Sequence, residues 1–210
     1  MILIPVKNLS GAKQRLASVL DQPSRTKLAQ AMLYDVLTAL HGWKDRPPVA
    51  VVSSDDHAAK LAIEYEFEII PDPANPGETG AIEMATQICV ERGIECTLVI
   101  PADIPLIQAW ELEEILKKAP AEGSVLVPAG DGRGTNAAFR RPANLFPLRF
   151  GNDSFKPHHA AAQATGKPCV VLELPGIAVD VDNPSDLAQL ASLPGDTRAQ
   201  KLAREYLRIG

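Results

Sequence analysis

The chain has 210 residues, of which 46% are hydrophobic and 5% aromatic, and carries a formal net charge of −5. That length and apolar content suffice for one domain with its own core, without disulfide or metal staples. The acidic balance argues against a general nucleic-acid binder, which needs a basic surface, and the scarcity of aromatics leaves no platform for stacking single-stranded bases.

The first element is an apolar strand over 2–6, ended by Lys7 and too short for a signal-peptide core or a membrane span. It runs into Lys7-Asn8-Leu9-Ser10-Gly11-Ala12-Lys13-Gln14-Arg15-Leu16, a loop with a glycine and three cations at the carboxyl end of that strand. Glycine lets backbone amides approach a polyphosphate, and cations offset charge on a leaving group; a solvated basic turn has the same composition. The loop is neither a Walker sequence nor a G-x-G-x-x-G fingerprint. A helix is predicted over 24–40, where Leu28, Met32, Val36 and Leu40 recur at four-residue spacing and Ser24 and Thr26 offer capping hydroxyls.

Strands at 49–53 and 67–70 then alternate with helices at 56–65 and 79–92. The strand at 97–101 leads into Pro101-Ala102-Asp103-Ile104-Pro105-Leu106. A carboxylate there can hold magnesium on substrate phosphates, or simply form a turn between prolines. After a helix at 110–118 and a strand at 124–128, the stretch 129–156 breaks the alternation. Two glycine loops, Gly130-Asp131-Gly132-Arg133-Gly134-Thr135-Asn136 and Phe150-Gly151-Asn152-Asp153-Ser154, flank a short inserted strand at 136–140. Both loops suit a small anion, and equally a hairpin turn and a helix cap.

A helix at 154–165 carries His158 and His159, which do not share a face and are expected at the surface or behind the site. A strand at 170–174 precedes Val179-Asp180-Val181-Asp182-Asn183-Pro184. In an extended segment the two carboxylates point to one side and repel unless a cation lies between them, although Asp182 can also serve to start the helix at 184–193. A closing helix spans 197–207. Cys89, Cys96 and Cys169 form no C-x-x-C pair, which fits a reducing cytoplasm. Alternating strands and helices give a doubly wound α/β sheet, whose ligands bind beyond the carboxyl ends of the strands.

Taken together, Ile4-Pro5-Val6-Lys7 with Ala12-Lys13-Gln14-Arg15-Leu16, Pro101-Ala102-Asp103-Ile104-Pro105-Leu106, Asp131-Gly132-Arg133-Gly134-Thr135-Asn136, Arg149-Phe150-Gly151-Asn152-Asp153-Ser154-Phe155 and Asp180-Val181-Asp182 resemble the CofC/FbiD guanylyltransferases. The match runs in order along nearly the whole chain. The resemblance implies a Rossmann-like, GT-A-like nucleotidyltransferase fold over 1–210, with a mostly parallel central sheet, helices on both faces and a small inserted β element. It further implies transfer of GMP from GTP to a small phosphorylated three-carbon acid, with release of pyrophosphate, on the pathway to coenzyme F-420. The candidate acids are 2-phospho-L-lactate, phosphoenolpyruvate and 3-phospho-D-glycerate.

Carried over by position, the family's metal-binding aspartates fall on Asp103, Asp180 and Asp182, with Mg2+ as the ion, and its acceptor-binding positions fall on Thr135, Gly151 and Ser154. Lys7, Lys13 and Arg15 are the candidates to stabilise departing pyrophosphate, the last two with Asp103 forming the catalytic set. Pro5, Val6, Lys7, Ser53, Gly77 and Thr79 are expected on the nucleotide side. Where the family often shows Gly-Leu-Asn, this chain has Pro76-Gly77-Glu78-Thr79-Gly80-Ala81-Ile82, so no single base-reading side chain is assigned. GTP and the acid are the expected partners, with no nucleic acid and no membrane; a homodimer is one assembly the sequence allows.

The same residues bear on three other functions. A cytidylyl- or molybdenum-cofactor nucleotidyltransferase shares the sheet and metal geometry. A nicotinamide oxidoreductase lacks its glycine turn here, and a non-catalytic nucleotide-binding regulator leaves three carboxylates without a purpose.

Overall fold

Four parallel strands form, β1 (Ile2–Pro5), β2 (Val49–Val52), β3 (Glu68–Ile70) and β4 (Thr97–Val99); β1, β2 and β4 are buried throughout, whereas β3, at the sheet edge, opens on the half-buried Glu68. The computed structural model describes residues 1–74, 77–151 and 153–208, so Pro76 and Asn152 of the loops above lie outside the described residues. Three more strands follow, β5 (Gly123–Pro128), β6 (Thr135–Arg141) and β7 (Cys169–Val171). Among the described residues these form one sheet in the order β3-β2-β1-β4-β6-β5-β7, in which β6 alone runs antiparallel to its neighbours.

Helices cover both faces, as expected for strands without a polar side. Ile2 and Ile4 of β1 face one core, with Leu28, Met32, Val36 and Leu40 of α1 (Gln22–Gly42) and Leu112 and Ile115 of α4 (Ala109–Lys118). Leu3 faces the other, with Ala81, Ile82 and Ala85 of α3 (Glu78–Glu91) and Ala162 of α5 (Phe155–Ala164). The remaining helices are α2 (Asp56–Glu64), α6 (Pro184–Ser192) and α7 (Arg198–Arg208). No helix among the described residues is long and apolar enough to cross a membrane.

Local chemistry corrects two details. Helix α1 is capped by Asp21, whose carboxylate accepts from Ser24 N at 2.9 Å, and not by Ser24 or Thr26. Pro23 sits in the first turn, where its fixed φ favours helix and its missing N–H is no loss, so the helix begins earlier than its hydroxyls indicated. The cap of α6 is Asn183, whose Oδ1 accepts from Ser185 N and Asp186 N, which leaves the Asp182 carboxylate free of capping duty. The inserted strand is seated in mid-sheet between β4 and β5. Because β6 is antiparallel, its first residue, Thr135, lies at the carboxyl edge of the parallel strands, the edge that also carries Lys7 and Asp103.

Candidate active site

Beyond that edge opens a cleft of about 620 Å³, walled by the loop after β1, by residues 101–103 after β4 and by Asp182. A second cleft of about 420 Å³ adjoins it toward the ends of β2 and β3, and residues 6–10 line both. Asp55 anchors this shared loop. Its Oδ2 accepts from Leu9 N at 2.9 Å while its Oδ1 caps α2 through His57 N and Ala58 N. Pro5, Val6 and Lys7 line the larger cleft. Ser53 stands behind the wall: it is buried, donates to Val6 O at 2.7 Å and accepts from Asp55 N at 2.9 Å, so its hydroxyl shapes the loop and is not offered to a ligand.

Lys13 occupies the centre of the larger cleft. Its backbone adopts a left-handed conformation with φ of 56°, an uncommon state for a residue with a side chain that occurs preferentially at functional sites. The ammonium lies 2.5 Å from Asp103 Oδ2 and 2.9 Å from Asp182 Oδ1, and Arg15 Nη1 reaches Asp182 Oδ2 at 3.4 Å. Burial disfavours the charged lysine, but the two carboxylates outweigh it and hold its pKa above the usual value. Burial opposes ionisation of Asp182 as well, and Lys13 and then Arg15 hold its carboxyl below the ordinary range. Among the described residues no cation offsets the charge of Asp180 in this way: burial first, and Asp103 and Asp182 against the opposing bond from Asn136, push it up to about 6. Glu78, on the same cleft at the start of α3, is pushed up to about 7 by burial and by Asp103.

The three aspartates singled out from the sequence therefore converge, with a different pairing from the one expected. Residues 180–182 form no ladder strand. The cation between carboxylates is the Lys13 ammonium, which joins Asp103 to Asp182, while Asp180 Oδ1 accepts from Asn136 Nδ2 at 3.1 Å. Among the described residues no three acidic, histidine or cysteine side chains enclose a metal position by themselves. The donors nonetheless fit magnesium: hard carboxylate oxygens surround a place already taken by a cation, and magnesium uses one or two protein carboxylates while phosphates and water complete its shell.

Two arms of the site are held together by Glu111, a fully buried residue that sequence reasoning passed over. One carboxylate oxygen accepts from Gly176 N at 2.7 Å and Ile177 N at 3.3 Å, the other from Gln108 N at 2.9 Å. The segment leading to Asp180 is thereby tied to the start of α4, just past Asp103. Gly176 is required there, since a Cβ would overlap the Leu106 carbonyl and the Glu111 carboxylate.

Thr135 and Ser154 also meet. Ser154 opens α5 without capping it; its Oγ accepts from Thr135 N at 3.1 Å and lies 3.3 Å from Thr135 Oγ1. His158, one turn after Ser154, is 1% exposed and bonds Thr135 Oγ1 through Nδ1 at 2.9 Å. It stands behind the pair as one of the two expected alternatives had it, whereas His159 stacks on Phe155. Gly151, at φ 144°, follows Phe150, whose N–H donates to Thr79 Oγ1 at 3.0 Å. The Thr79 hydroxyl thus ties the start of α3 to the second glycine loop, and Gly77, at φ 93°, supplies the turn before it. The two glycine loops are joined by Phe155 N donating to Arg133 O at 2.8 Å and by the Arg133–Asp153 ion pair.

The family described as guanylyl transferase, CofC like, matches residues 1–209. A phosphoenolpyruvate guanylyltransferase of Roseiflexus castenholzii is 38% identical over 205 residues, covering 98% of this chain and 94% of the relative. A 2-phospho-L-lactate guanylyltransferase of Methanothermobacter thermautotrophicus is 33% identical, with 98% and 88% covered. A 3-phospho-D-glycerate guanylyltransferase of Colwellia psychrerythraea is 32% identical, with 91% of each covered. Among solved structures, a protein of Desulfovibrio desulfuricans provisionally named a nucleotide-diphospho-sugar transferase superposes with a TM-score of 0.79 over 99% of this chain and 95% of its own; at 19% identity it attests the fold. Matched from end to end by the family and by relatives above 30% identity, the chain belongs to the CofC-like guanylyl transferases.

Proposed function

We propose that this protein transfers GMP from GTP to a small phosphorylated three-carbon acid in the cytoplasm, as a step toward coenzyme F-420. An oxygen of the acceptor's phosphate attacks the α-phosphorus of GTP, the bond from that phosphorus to the bridging oxygen breaks, and pyrophosphate leaves with that oxygen. A phosphate dianion needs no general base, so the protein's task is placement and charge compensation. The observation that carries this reading is the Lys13 ammonium seated between Asp103 and Asp182, at one sheet edge with the Thr135–Ser154 pair.

In this reading the nucleoside occupies the cleft beside Ser54 and Asp55, and its phosphates extend along residues 7–15 into the larger cleft. Lys7, Lys13 and Arg15 face the polyphosphate. Asp103, Asp180 and Asp182 would hold Mg2+, which supplies charge neutralisation at the phosphates when bound. Thr135, Ser154 and the Gly151 backbone take the acceptor's carboxylate. Reducing conditions keep Cys89, Cys96 and Cys169 as the free thiols they are here. The test is pyrophosphate release with 2-phospho-L-lactate, phosphoenolpyruvate and 3-phospho-D-glycerate, each against GTP, ATP and CTP. Release with one acid and GTP supports the assignment; release with none of the acids, or with CTP above GTP, overturns it.

A further inference from the structure

Behind the acceptor seat lies a hydrogen-bond arrangement whose proton positions can be counted. His158 Nε2 is 2.7 Å from Arg149 N. A backbone amide is always a donor, so Nε2 accepts and carries no proton. The ring of a neutral histidine then bears its proton on Nδ1, which donates to Thr135 Oγ1 at 2.9 Å. Burial favours that neutral ring, lowering its pKa from the usual 6.5 to about 4. Ser154 Oγ already accepts from Thr135 N, and one hydroxyl proton is used in the contact between Ser154 and Thr135. Neither ring nitrogen remains able to accept. Within this cluster the second hydroxyl proton therefore finds no acceptor and points to one from outside.

Resting on the acceptor site proposed above, we infer that His158 is a positioning residue that makes the Thr135–Ser154 pair a donor-only seat for the carboxylate of the acceptor acid. The tautomer decides the polarity of the seat. Were the proton on Nε2, the Thr135 hydroxyl would turn inward to Nδ1 and the seat would lose the donor that a carboxylate needs. Arg149 N–H prevents this, and Arg149 precedes Gly151 by two residues, so the backbone that leads to the seat also fixes its polarity. The edge of Phe150 against the imidazole, with centroids 5.0 Å apart, keeps water from the ring.

Two measurements test this on the full-length protein. In histidine-selective 15N spectra near pH 7.5, His158 should show the Nδ1–H tautomer, and its signal should move with at least one of the three phospho-acids but not with glycerol 3-phosphate, which has 3-phosphoglycerate's phosphate and no carboxylate. An Nε2–H tautomer, or an equal response to glycerol 3-phosphate, overturns the inference without reference to GTP turnover. In kinetics, His158→Asn keeps an amide donor near Nδ1 and His158→Gln places its amide near Nε2. The KM for the acid should rise about tenfold or more in the Gln variant, the order expected for one charge-assisted hydrogen bond, and less in the Asn variant, with the KM for GTP unchanged in both. Equal losses toward acid and GTP, or no preference for Asn over Gln, indicate a merely structural histidine and overturn the role.

Discussion

Replacing Lys13 by Met keeps the length and apolar stem of the side chain and removes only the ammonium. Its two contacts, 2.5 Å to Asp103 and 2.9 Å to Asp182, place those carboxylate oxygens at most about 5.4 Å apart. Two unit charges at ~5 Å in an effective dielectric of ~20 repel by about 3 kcal/mol. The Asp182 side chain is 42% exposed and that of Asp103 28%, so solvent screening reduces the expected loss to about 1–2 kcal/mol. For a chain of this size that corresponds to a fall in Tm of roughly 3–6 °C in metal-free buffer at pH 8. A divalent cation that replaces the ammonium returns about 1.4 kcal/mol at ten times its Kd. Magnesium should therefore raise the Tm of Lys13→Met more than that of the parent, in which lysine competes for the same oxygens. Scanning calorimetry with chelator and with magnesium measures both shifts. An equal magnesium response in the two proteins, or an unchanged Tm for the variant under chelation, refutes the idea that Lys13 holds the cation's place.

Asp103→Asn and Asp180→Asn should each lower turnover by about 100-fold or more while holding Tm within a few degrees, because each removes a hard anionic oxygen but keeps the side chain's shape; circular dichroism beside the pyrophosphate assay checks this, and full turnover in either variant removes that aspartate from the metal assignment. His158 binds fewer protons in the folded protein than in the unfolded chain between about pH 4 and 6.5, so its contribution is present above the unfolded pKa and is lost as pH falls through that window. The loss amounts to about 3 kcal/mol from the lowered pKa. Asp180 and Glu78, whose pKa values are raised, act in the opposite sense, so the quantity to measure is the difference in urea stability between parent and His158→Gln across pH 4–8; a flat difference contradicts a buried neutral imidazole. Gly176→Ala forces a Cβ onto the Leu106 carbonyl and the Glu111 carboxylate, and should cost about 2–3 kcal/mol and depress turnover together; parental stability in urea denaturation means that the segment before Asp180 is not held as described.

Much of this protein follows from patterns within short stretches of chain. The strand–helix alternation, the apolar seam of Leu28, Met32, Val36 and Leu40, and the placement of Lys13, Asp103, Asp180 and Asp182 in loops after strands are local features. Period and punctuation report them because a two-faced parallel strand and an amphipathic helix each announce their burial in sequence. The order of the motifs was enough to indicate the family. What the chain folds into between those motifs needed partners from far away. No local signal places the β6 run between β4 and β5, since strand pairing is a choice among distant segments. Nor could spacing tell that the cation between carboxylates is Lys13 and that it joins Asp182 to Asp103 and not to Asp180, that buried Glu111 gathers three amides from two loops, or that His158 turns its Nδ1 to Thr135. Each of these depends on a side chain meeting a group dozens of residues away, and buried polar groups must find such partners when the core closes around them.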